Sequence, residues 1–197
     1  VRRGIISVAI FVAFVVIFTV SRHAITTTTT TTTAQPPSTT TSMVTTTTTL
    51  ASTTCDASDF SGVYDEGEGA AGTIYASVTL TKTTAGSCTL NGWPLITLSD
   101  KLGAVLPSST VDVPSAGDDI QFPSAQANAK PSTVTLSMNS TTTFSLAYSD
   151  VQTGNTACPS AVTLSVQFVA SGAAVAVTPQ YAVQPCDGGR LWVSPFY

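Results

Sequence analysis

Charge is scarce in this sequence, and histidine is scarcer. Of 197 residues only 9% are Asp, Glu, Lys or Arg, and the one histidine is His23. His23 lies ahead of everything that reads as folded, so a Ser-His-Asp triad, a His general base or a His metal site cannot be assembled there in cis. No Gly-x-Ser-x-Gly elbow occurs. No Ser-x-x-Lys occurs either, since Thr79, Leu98 and Ala127 stand three before Lys82, Lys101 and Lys130. Phosphate loops and dinucleotide fingerprints are also absent. The basic residues are few and badly placed for nucleic acid: residues 55–197 carry 4 basic against 11 acidic side chains, a net charge of minus 7. Binding to a polyanion is driven by counterion release from basic contacts, so no nucleic-acid partner is expected. No Cys-x-x-Cys spacing exists, and no stretch after Cys55 has the period of a long amphipathic helix.

What is abundant is threonine. It occurs 36 times, 18 of them between Thr26 and Thr54. Ahead of that block, Arg2 and Arg3 precede an apolar run from Gly4 to Val20, broken only by Ser7 and Thr19, before Ser21, Arg22 and His23 restore polarity. At about 1.5 Å per residue such a helix spans about 25 Å, at the short end for a bilayer crossing. The expectation is a signal anchor and transmembrane helix over residues 1–25, crossing the membrane through residues 4–20. A cleaved signal peptide ending at Ala24 is the alternative, disfavoured because Arg22 occupies a position where a small residue is wanted. Two arginines before the span against one after it place the remainder outside the cell membrane, as a single-pass protein. No Cys closely follows the run, so a lipoprotein anchor is not expected.

Residues 26–54 read as a disordered stalk. They hold too few large apolar side chains to offset the entropy of ordering them. At polyproline II spacing of about 3.1 Å per residue the stalk reaches about 90 Å. Its Thr/Pro composition suits O-glycosylation and equally a bare spacer. Asn139-Ser140-Thr141 is an N-glycosylation acceptor pattern.

From Cys55 onward the period changes to two. Ile74, Ala76, Val78 and Leu80 alternate with Tyr75, Ser77, Thr79 and Thr81; Val134 to Met138, Phe144 to Tyr148, Val162 to Phe168, and Leu191 with Val193 repeat the pattern. Turn formers separate the runs, among them Gly86, Asn91-Gly92, Pro107-Ser108-Ser109, Pro114 to Gly117, Asn139-Ser140, Gly154-Asn155 and Asp187-Gly188-Gly189. The spacing predicts one all-β domain over 55–197, an immunoglobulin-like antiparallel sandwich, with a closed barrel as the alternative. Cys55, Cys88, Cys158 and Cys186 all lie in this part, and their even number in an exported domain predicts two disulfides rather than a metal or redox site. Three connectivities are possible. Pairing Cys55 with Cys88 and Cys158 with Cys186 ties neighbouring segments and is the expected one, each bond contributing about 3 to 4 kcal/mol in the chain-entropy model.

The run Gly69 to Tyr75, continuing through Val78-Thr79-Leu80-Thr81 to Gly86-Ser87-Cys88-Thr89-Leu90-Asn91-Gly92-Trp93-Pro94, resembles the opening of an exported actinobacterial domain known as domain of unknown function four-two-three-two. The likeness continues in Leu136 to Tyr148, in Cys158 and in the ending Cys186-Asp187-Gly188-Gly189-Arg190-Leu191-Trp192, with Lys82 standing where that family usually has Asn. The resemblance implies an immunoglobulin-like, disulfide-bonded extracytoplasmic domain, often on an anchor and polar linker, and implies no established activity.

Candidate site residues are correspondingly few. Trp93, Trp192 and Tyr75 are candidates for an aromatic platform binding a glycan or protein of the cell envelope, although a buried tryptophan beside a disulfide is the plainer reading of each Trp. The acidic group Asp65-Glu66-Gly67-Glu68-Gly69 matches no calcium-loop spacing and reads as a solvated loop between strands. No cofactor is expected. The function expected is a monomeric, non-enzymatic binding or structural module of the envelope. The alternative is a hydrolase using paired carboxylates drawn from Asp65, Glu66, Glu68, Asp100, Asp112, Asp118, Asp119, Asp150 and Asp187. The hydrolase requires two carboxylates across a cleft, whereas a binding module requires exposed aromatics or a free strand edge.

Overall fold

The computed structural model describes residues 53–115 and 120–197. The expected signal anchor, nearly all of the stalk, and Asp118 and Asp119 lie outside the described residues. Thr53 and Thr54, which composition assigns to the stalk, instead form strand β1 (Thr53–Thr54). It is followed by β2 (Phe60–Ala70), β3 (Thr73–Lys82), β4 (Cys88–Leu90), β5 (Leu95–Ser99), β6 (Ser109–Asp112), β7 (Val134–Leu136), β8 (Thr141–Ser149), β9 (Thr163–Gln167), β10 (Ala174–Val177) and β11 (Arg190–Val193). Among the described residues the one α-helical element is the four-residue turn α1 (Cys186–Gly189), whose Asp187 and Gly188 carry positive φ. Among the described residues no helix is long and apolar enough to cross a membrane.

The strands form open sheets, not a barrel. One has five strands in the order β2-β3-β8-β11-β6; two have three, β10-β9-β5 and β1-β4-β7. The arrangement is sandwich-like because alternation gives each long strand one apolar face. Val78, Leu80, Phe144, Leu146, Leu191 and Val193 of the large sheet share a core with Leu98, Leu164, Val166, Val175 and Val177 of the β10-β9-β5 sheet. Phe60, Phe168, Phe196 and Phe144 run through this core in successive edge-to-face contacts at 5.2, 5.5 and 5.9 Å.

Pairing is not antiparallel throughout, which corrects the sequence expectation. β11 runs parallel to β6 and β1 parallel to β4. Both parallel neighbours are separated by long stretches of chain, so neither pairing is a hairpin that local sequence would announce. Hairpin β2–β3, in contrast, closes on Ala71 and Gly72, both with positive φ as a type I′ turn demands.

Both expected disulfides form, Cys55–Cys88 and Cys158–Cys186. Lys82, at the end of β3, is the one buried cation among the described residues, 2% exposed. Its ammonium donates to the Thr84 carbonyl and hydroxyl at 3.2 and 2.5 Å, lies 3.6 Å from an Asp59 carboxylate oxygen and sits over the Phe60 ring. Three acceptors and a ring face take the place of water around the charge.

Candidate functional site

The acidic segment expected to be a loop is strand. Asp65 to Gly69 belong to β2, an edge strand hydrogen-bonded to β3. Asp65 pairs with Ser77 and Glu66 with Ala76, but the next register pair is Gly69 with Ile74. Gly67 and Glu68 therefore both oppose Tyr75, which is a β-bulge. Glycine is required at 67, because a Cβ there would land on the Tyr75 carbonyl. The bulged strand and Tyr75 together border an open space.

That space is a cleft of about 490 Å³ on the face of the large sheet opposite the main core. Asp65 and Glu68 line it on the β2 side, Pro123 and Ser124 on the other, with Tyr75, Ser77, Ser145 and Tyr197 between them; Glu66 borders it too, but is paired with Ala76 and turns its side chain to the core face, beside Tyr64 and Tyr148. The Pro123 and Ser124 side is held by Asn128, whose side chain accepts from the Phe122 amide and donates to the Phe122 and Ser124 carbonyls, all at 2.8 Å. Phe122, thus pinned, meets Tyr75 edge-to-face at 6.4 Å within a small second core of Val113, Phe122, Ala127 and Ala147. Tyr197 is brought in by register: its amide and carbonyl pair with Thr143, and its hydroxyl lies 2.8 Å from the Ser145 hydroxyl.

The cleft is electronegative. Among the described residues no Lys, Arg or His lines it, and none of Asp65, Glu66 and Glu68 enters an ion pair. Behind it, Tyr64 and Tyr148 are buried, and burial pushes both phenols above the usual tyrosine range, with the Glu66 charge adding to the effect. Hydroxyls, rings and carboxylates converge here as hydrogen-bonding and stacking groups. The carboxylates all stand on one strand, and among the described residues the facing wall carries none.

The predicted site residues are dispersed by the structure. Tyr75 lines the cleft. Trp192 is half-buried against the same small core, with the Arg190 guanidinium 5.8 Å from its ring, and does not line the cleft. Trp93 is half-buried and donates its indole N–H to the Val113 carbonyl at 2.9 Å, bracing the segment that carries the small core. Asn139 is exposed at the β7–β8 turn with φ of 66°. Among the described residues no three His, Cys, Asp or Glu side chains are grouped to hold a metal ion. Sequence reading did not single out Ser145, Ser77 and Ser124, since a serine beside an acidic strand announces itself only once the register is known.

No curated protein and no solved structure matches the chain. A family model described as Domain of unknown function (DUF4232) matches residues 55–197, the whole of the segment that builds the sheets, both disulfides and the cleft. The chain belongs to the DUF4232 family.

Proposed function

We propose that residues 55–197 form a monomeric, immunoglobulin-like binding module displayed outside the cell, held at the envelope by the apolar segment 4–20 and the Thr-rich stalk, and that the outer-face cleft takes a polyhydroxylated envelope ligand, a neutral or amine-bearing glycan. The observation that carries this reading is the composition of the cleft: the Tyr75 ring offers an apolar face to a sugar, Tyr197, Ser77 and Ser145 offer hydroxyls, and Asp65 and Glu68 accept from ligand hydroxyl or ammonium groups. Anionic ligands are repelled by the same wall. Two disulfides support an oxidising location. Carboxylates gathered on one wall favour binding over the paired-carboxylate hydrolase, whose acid and base flank the scissile bond from opposite sides.

The test is binding of the chain to envelope polysaccharide fractions and a glycan panel, comparing wild type with Tyr75→Ala and with Asp65→Asn/Glu68→Gln. Binding to a neutral or amine-bearing glycan that falls at least about ten-fold in both variants supports the reading. Binding only to anionic polymers, or binding indifferent to both variants, overturns it. Release of reducing sugar from the same fractions would establish the hydrolase in its place.

A further inference from the structure

The two disulfides have opposite surroundings. Cys55 and Cys88 are each 4% exposed and belong to the main core. Cys158 is partly exposed and follows a run, Val151 to Ala157, that is exposed at every residue. The Cys158–Cys186 bond lines a second recess of about 400 Å³ with Pro107, Thr153, Thr156 and Asp187, which shares no residue with the acidic cleft. A water molecule occupies about 30 Å³ of liquid, so the recess has room for a small thiol reagent.

We propose that Cys158–Cys186 is a thiol-exchange site, while Cys55–Cys88 is closed to exchange in the folded chain. Exchange requires a thiolate to reach one sulfur in line with the bond, and access decides which sulfur is attacked. Cys186 is 2% exposed, so attack falls on Sγ of Cys158. A thiolate of an external dithiol forms a bond to that sulfur, the disulfide breaks, and its electron pair leaves on Cys186 Sγ, which takes up a proton. The second thiolate of the dithiol then attacks its own sulfur in the mixed disulfide and releases Cys158 as a thiol. The dithiol is oxidised by two electrons and the cystine reduced by two.

The effect is local. Breaking the bond unties the β8–β9 loop from the turn Cys186–Gly189, whose last three residues all carry positive φ. Asp187 of that turn also makes a solvent-exposed ion pair with Arg190 at 3.3 Å, a weak restraint. The main core is left in place.

The experiment uses the intact 197-residue chain under native conditions, titrated with dithiothreitol, quenched with one alkylating label, then unfolded, fully reduced and given a second label for peptide mapping. Cys158 and Cys186 should take the first label at least ten-fold faster than Cys55 and Cys88, with the β-sheet circular dichroism unchanged. A second arm with glutathione should trap its adduct on Cys158. Labelling of all four cysteines together, labelling of Cys55 and Cys88 first, labelling only as the fold is lost, or an adduct on Cys186 would each overturn the proposal. None of these outcomes depends on what the acidic cleft binds.

Discussion

Single residues already show which polar groups the fold must keep. Lys82 is buried with Asp59, which is 35% exposed, and removing only the carboxylate leaves an ammonium with one fewer acceptor in a dry site. Asp59→Ala should lower stability by about 1 to 3 kcal/mol, whereas Lys82→Met, which removes the charge and keeps the volume, should cost less, both read from urea unfolding midpoints. Tyr64 and Tyr148 set the alkaline limit. Their phenols are held protonated in the fold above the ordinary value of 10.0. The unfolded chain therefore loses protons first as pH rises, and stability is full below about pH 10 and falls above it. Absorbance at 295 nm should show phenolate appearing together with loss of tertiary signal, and Tyr64→Phe should move that transition to higher pH. Ionisation of both tyrosines with the fold intact would refute this.

Elements differ in how far their sequence discloses them. β3, β8 and β9 were legible because each buries one face and period-two alternation follows directly. β2 was not, because an edge strand needs no apolar alternation: eight of its eleven residues are exposed, and its acidic, glycine-rich half looks like a loop. Charges on such an edge also discourage pairing with a second chain. β6 was hidden inside a turn-like Pro-Ser-Ser stretch, since its partner β11 lies far along the chain. The cleft inherits these gaps. Tyr75 was identifiable by type, but the bulge that faces it depends on where β2 slips against β3. Gly67→Val should therefore abolish ligand binding and lower stability by more than about 2 kcal/mol, measured by calorimetry and by thermal unfolding. A Gly67→Val protein that binds as wild type would show that the bulge does not shape the site.

For the whole molecule, the disulfide pairing followed from keeping each bond within one half of the domain, and both bonds form so, although the sheets interleave strands of the two halves. Composition does not separate Thr53 and Thr54 from the threonines before them, since they are the same in type and pair with β4 through the backbone. Cys55→Ala/Cys88→Ala should destabilise the domain by about 3 to 4 kcal/mol through the 33-residue loop it reopens. Equilibrium unfolding should show it, and a loss under about 1 kcal/mol would mean the unfolded chain keeps those segments together without the bond.

The parallel pairing of β1 with β4, followed at once by Cys55–Cys88, has a mechanical consequence. Any tension arriving from the chain before Thr53 enters at β1, meets hydrogen bonds to β4 over only two residue pairs, and then reaches a covalent link to Cys88. Load is thereby shunted from residue 55 directly to residue 88. The intervening hairpin of β2 and β3, which carries the carboxylate wall and Tyr75, is a bypassed loop that bears none of the pull along the backbone.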